Sequence, residues 1–143
     1  MHRSWWARRE VTPRSAAGET RFRFEVTTER AEVAAFAQSL GLAEAGDLEL
    51  RIPLTYPVRW LSADDVQGWL VAALGGTSLP VHEMQDFTYR APLALDRAYT
   101  LDVTCAVSGL DTPRITIMAE IWDGDELIGS TRSSILAAPH GAS

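Results

Sequence analysis

His82 is the one histidine that falls within the patterned part of this chain; His2 and His140 lie near its ends. An imidazole changes charge near neutral pH, so it can act as a general base or hydrogen-bond a polarised carbonyl. For acid–base work it needs a carboxylate, and Asp47 or Glu83 would complete a catalytic pair. The plainer alternative is a histidine at a strand start, bonded to backbone. Gln85, Tyr89 and Arg90 are polar members of the same predicted strand and can line a pocket mouth. Arg51 and Arg59 flank a stretch broken by Pro53 and Pro57, where a guanidinium can grip a phosphate or an acidic protein face. Trp60 and Trp69 offer flat apolar walls, although core packing also explains Trp69. Cys105 is the single cysteine, so no internal disulfide is possible, and its apolar neighbours read as a buried thiol. No His/Cys cluster has metal-ligand spacing, and neither metal nor cofactor is expected.

The bulk properties narrow the class of protein that must position these groups. A chain of 143 residues, 46% apolar and 22% charged, is one globular domain with a real core. The net charge of −6 argues against a nucleic-acid partner. The positive charge concentrates early, at Arg3, Arg8, Arg9, Arg14, Arg21 and Arg23. No apolar run is long enough to cross a bilayer, and the start does not read as a signal peptide, so no membrane contact and a cytoplasmic location are expected.

Residues 1–19 read as a flexible leader and 138–143 as a tail, leaving 20–137 as the domain. Phe22, Phe24 and Val26 alternate with Arg21, Arg23 and Glu25, a half-buried strand. Thr28 offers a helix N-cap, and Val33, Phe36, Ala37 and Leu40 form one helical face that Gly41 terminates. An extended loop is expected to Leu61, and the alternation of Leu48, Leu50 and Ile52 with charged residues allows a short strand before Pro53. Ser62-Ala-Asp-Asp65 resembles a capping box, and Val66, Trp69, Leu70, Ala73 and Leu74 form the inward stripe of a second helix. Val71 and Ala72 carry apolar character round its other side, which predicts a wrapped helix. Four strand patterns follow, joined largely as a meander, with a tight turn at Asp123-Gly124-Asp125. The expected architecture is α+β: a curved antiparallel sheet of about five or six strands wrapped round a long central helix.

That order is the order of the hotdog fold, and specific residues resemble the MaoC-like (R)-specific hydratase/dehydratase family. Phe24-x-Val-Thr27, Val33-x-x-Phe-Ala37 and Leu40-Gly41 are similar to the family's opening. Val81-His-Glu-Met-Gln-Asp-Phe-Thr-Tyr-Arg-Ala-Pro-Leu93 is similar to the pattern His-x-x-Gln-x-Phe-x-Tyr-x-x-Pro-Leu in the N-terminal hotdog of dehydratases related to fungal fatty acid synthase. Trp122 to Gly129 resembles the final hairpin. The resemblance implies an acyl thioester ligand, carried on coenzyme A or acyl carrier protein, and reversible addition of water across its 2,3 double bond. It also implies a second hotdog, in a homodimer or a heterodimer, because an unpaired sheet edge needs covering. Arg51 or Arg59 would then meet the phosphopantetheine phosphate or the carrier protein.

The chain departs from the family at the catalytic position. Active members carry Asp-x-Asn-Pro-x-His after the first helix. Here Leu40-Gly41 is followed by Leu-Ala-Glu-Ala-Gly-Asp-Leu-Glu-Leu-Arg-Ile-Pro53, with no Asn-Pro and no histidine, and the fifth residue after Asp47 is Ile52. Asp64 and Asp65 resemble the helix-borne carboxylates of hotdog thioesterases, but a helix start explains both. Three readings stay open: the non-catalytic half of a two-hotdog dehydratase, an active enzyme with a relocated site around His82, and a module that holds an acyl chain without chemistry.

Overall fold

The alternation at Thr20–Thr27 forms a strand, β2, with Phe22, Phe24 and Val26 buried and Arg21, Arg23 and Glu25 exposed. The computed structural model describes residues 10–13, 19–41, 51–75, 78–109 and 113–139. The other elements are β1 (Glu10–Pro13), α1 (Arg30–Ser39), α2 (Pro57–Trp60), α3 (Asp64–Leu74), β3 (Ser78–Tyr89), β4 (Ala98–Ser108), β5 (Arg114–Asp123) and β6 (Glu126–Pro139). One antiparallel sheet has the order β1-β2-β4-β5-β6-β3. Only β4, β5 and β6 form a meander; β3 crosses to the far edge and pairs with β6. The short β1 pairs with β2 inside the stretch read from sequence as a leader.

Leu101, Val103, Cys105 and Val107 of β4 stand opposite Ile121, Ala119, Ile117 and Ile115 of β5 and make the floor of the core. Burial pushes the Cys105 thiol up to about 12, as the apolar pattern around it leads one to expect. Val66 of α3 is fully buried on this floor, with Trp69, Leu70, Ala73 and Leu74 packed against it. The helix is less enclosed than its composition predicts: Val71 is 67% exposed. One sheet covers one side of a helix, and among the described residues the other side, at Val71, is left open.

Three helix starts differ from expectation. Thr28 does not cap α1. Its hydroxyl is fully buried, donates to the Ala94 carbonyl at 2.6 Å and accepts from the Arg97 N–H at 3.1 Å. The N-cap is Glu29, with no side-chain bond, and the Arg30 N–H is met by the Asp96 carboxylate at 2.9 Å instead. Pro57 sets a one-turn helix, α2, where an extended loop was expected, because proline is pre-organised for the first helical turn. Ser62 bonds the Arg59 carbonyl at 2.7 Å, so the capping box does not form and Ala63 is the N-cap of α3.

Candidate groove and the edge strand

The segment from Arg51 to Leu54 lies against the segment from Tyr89 to Leu95, and between them runs a groove of about 680 Å³. That volume lies within the range of small-molecule pockets. Its apolar lining comes from Ile52, Leu54, Ala91, Leu93 and Leu95. Arg51 and Arg90 line it as well and are exposed. An apolar trough bordered by two cations suits an amphiphile with an anionic head.

Tyr89 holds the two segments together. Its hydroxyl donates to the Leu54 carbonyl at 2.6 Å. Burial pushes that hydroxyl up to about 12, so it is a neutral donor at physiological pH. The ring fits because Gly129 stands opposite Tyr89 in the β3–β6 register. A Cβ at Gly129 would lie 2.9 Å from the Thr88 carbonyl oxygen and 3.1 Å from Tyr89 Cδ1. The chain after Tyr89 is anchored by the Arg90 N–H, which donates to the Ile128 carbonyl at 2.8 Å.

The other sequence candidates occupy different places. His82 is exposed on β3, and its Nε2 donates to the Met84 carbonyl at 3.0 Å. Glu83 is forked by Arg114 at 2.8 and 3.1 Å, which holds its carboxyl below the usual range. Asp47 lies outside the described residues. Among the described residues no hydrogen bond or ion pair joins His82 to a carboxylate. Gln85 is half-buried, bonded to Thr131 and Ser133. Arg59 pairs with Glu32 at 3.7 Å and does not line the groove. Trp60 is a packing residue: it is buried, stacks edge-on to Tyr56 and donates to the Thr27 carbonyl at 3.3 Å. Asp64 and Asp65 stand in the first turn of α3, where carboxylates favour the helix dipole.

Sequence reasoning found Arg51, Tyr89 and Arg90 but not Leu93, Leu95 or the Thr131–Ser133 pair. The signal for Thr131 and Ser133 was available: two small polar residues on the strand face that also carries Ile135 and Ala137. Among the described residues, no group of three or more His, Cys, Asp or Glu side chains could hold a metal ion, and no helix is long and apolar enough to cross a membrane.

No family model and no curated protein sequence matches the chain. Solved structures do. A chain of the HadBC (3R-hydroxyacyl-ACP dehydratase) complex from Mycobacterium tuberculosis superposes with a TM-score of 0.65 at 14% identity, covering 86% of this chain and 98% of that one. A chain of the ChsH1–ChsH2 complex from the same organism gives 0.63 at 15% identity, with 85% of each covered. A MaoC-like dehydratase gives 0.66 at 13% identity over 86% of this chain, which spans only 42% of that protein's length. Identities this low speak for the fold, and the strand order, the antiparallel pairing and the helix laid on the sheet agree with it: the chain is an α+β hotdog domain.

Proposed function

We propose that this chain is a MaoC-like, dehydratase-type hotdog protein, of the kind that forms the N-terminal half of fungal fatty acid synthase-like dehydratases. It binds an acyl thioester, on coenzyme A or acyl carrier protein, in the cytoplasm. It acts as the non-catalytic half of a two-hotdog unit. The observation that carries the reading is the groove itself, with its apolar lining, the Tyr89–Leu54 seam and the arginines Arg51 and Arg90. The arginines suit the phosphates of the carrier and the trough suits the thioester arm.

Two features support a second hotdog as partner. Strand β3 is a sheet edge twelve residues long, with Leu79, Val81 and Met84 exposed on it. Such an edge is normally covered. Beside it, the outer side of α3 leaves Val71 in solvent. The similar HadBC and ChsH1–ChsH2 structures are complexes of two different chains.

The missing histidine in 42–53 supports the silent role, since acid–base chemistry at C2 and C3 needs two groups. The test is hydration of crotonyl-CoA by the purified chain alone, and again with a hotdog partner that carries Asp-x-Asn-Pro-x-His. The reading expects no turnover alone and turnover with the partner. Efficient hydration by the chain alone would overturn the silent role and favour a site around His82.

A further inference from the structure

Successive strand residues alternate faces, so residues three apart normally point to opposite sides of a sheet. His82 and Gln85 break this rule. The β3–β6 register shifts between His82 and Met84, which leaves Glu83 as an extra, bulged residue. His82 therefore stands opposite Ile135 and Gln85 opposite Ser133, and both of those β6 side chains are buried on the core-facing side. Consecutive positions on one strand face are about 7 Å apart. Bulges are a common device for re-aiming a side chain near a site. This one is clamped by the fork between Glu83 and Arg114.

The hydrogen-bond pattern fixes what each residue presents. The Met84 carbonyl can only accept, so His82 Nε2 carries a proton, and in the neutral ring Nδ1 is left as an acceptor. Thr131 donates to the Asp86 carbonyl at 3.0 Å, so it must accept from the Gln85 amide, 2.5 Å away. Ser133 donates to the Gln85 carbonyl oxygen at 2.7 Å. The carboxamide is thus locked in one orientation, and its second N–H has no partner among the described residues. One acceptor and one donor on the same strand face match a group that both donates and accepts.

We propose that His82 and Gln85 form a polar clamp for a hydroxyl group on the acyl chain of the bound thioester. The inference rests on the acyl-thioester reading of the groove. Gln85 lies four residues before Tyr89 on the same face, about 13 Å along the strand. Neither His82 nor Gln85 lines the groove itself. An extended pantetheine arm held at Arg90 and leaving the groove along β3 spans a distance of that order, which brings the acyl carbons next to the thioester to the clamp. The clamp binds and orients; it carries no proton-transfer step.

The test compares equilibrium affinities for 3-hydroxybutyryl-CoA and butyryl-CoA in the wild type, His82→Ala and Gln85→Glu. His82 is exposed, so its truncation spares the core. Gln85→Glu keeps shape but replaces the donor by an acceptor. The wild type should bind the hydroxylated ligand about tenfold more tightly, the worth of one or two good hydrogen bonds. Both variants should bring the affinity ratio to within about twofold of one. Equal wild-type affinities, or a ratio unchanged in both variants, would overturn the clamp while leaving the groove reading intact. Failure to bind either ligand would overturn both.

Discussion

The Tyr89 hydroxyl stands 2.6 Å from the Leu54 carbonyl and joins the end of an edge strand to a segment 35 residues earlier in the chain. Leu54 is itself 70% exposed, so this bond, rather than burial of Leu54, holds the groove wall. Tyr89→Phe keeps the ring and removes the bond. It should cost about 1 kcal/mol of stability and weaken acyl-CoA binding several-fold. Denaturant melts and ligand titration of the same variant read the two effects separately.

Gly129 is the counterpart of that seam. An added Cβ meets a backbone carbonyl, which cannot swing aside, and the Tyr89 ring. Gly129→Ala should destabilise by about 1–3 kcal/mol, as overpacking does. Gly68 makes the control: it lies in α3, is exposed, and an added Cβ meets nothing within 4 Å. Gly68→Ala should raise stability by roughly 0.5–1 kcal/mol. Denaturation midpoints of the two alanine variants should therefore move in opposite directions.

Asp96 caps α1 from a distant turn, and its own φ is +54°, a left-handed conformation that Asp tolerates better than Ala. Asp96→Ala removes the cap and strains the turn. A loss of about 1–2 kcal/mol is expected in thermal or chemical unfolding. Glu29→Ala, at the N-cap position without a side-chain bond, should cost far less.

Stability should fall in alkali. Cys105 and Tyr89 are both shifted up to about 12, from ordinary values of 9.0 and 10.0. A raised folded-state value means that the folded chain keeps its proton where the unfolded chain loses it. The contribution is therefore complete below about pH 9 and drains away as pH climbs toward 12. Each unit of difference corresponds to about 1.4 kcal/mol. Melting temperature should decline from pH 9 upward, and Cys105→Ala should flatten the first part of that decline.

Tyr56 offers an unexpected direction. It is fully buried between Phe36 and Trp60, and its hydroxyl lies near Arg59 but outside hydrogen-bond geometry. Burial pushes that hydroxyl's pKa up. Tyr56→Phe removes an unsatisfied polar atom and keeps the ring stack, so unfolding should show equal or greater stability, by up to about 1 kcal/mol.

Periodicity in the sequence was enough to locate β2, α1, α3 and β4–β6, because each has one buried face and a regular repeat. Phe22, Phe24 and Val26 are buried as their spacing demands. What it could not carry was anything set by a distant partner. Thr28 looks like a cap until Ala94 and Arg97 claim its hydroxyl. Trp60 looks like a pocket wall until the rings of Tyr56 and Tyr99 pack against it. The bulge at Glu83 is invisible to a period-two reading, yet it decides which side His82 faces. In the groove, Tyr89 and Arg90 were legible from the strand pattern, but their meeting with the Arg51–Leu54 segment is a contact between distant parts of the chain.

The central claim is that the Arg51–Arg90 groove holds an acyl thioester. Isothermal titration of the purified chain with decanoyl-CoA, beside free coenzyme A, tests it most directly. The account predicts saturable binding of decanoyl-CoA, at least about tenfold tighter than free coenzyme A, and weakened several-fold in Arg90→Glu. Equal affinity for the two ligands, or decanoyl-CoA binding untouched by Arg90→Glu, would contradict it.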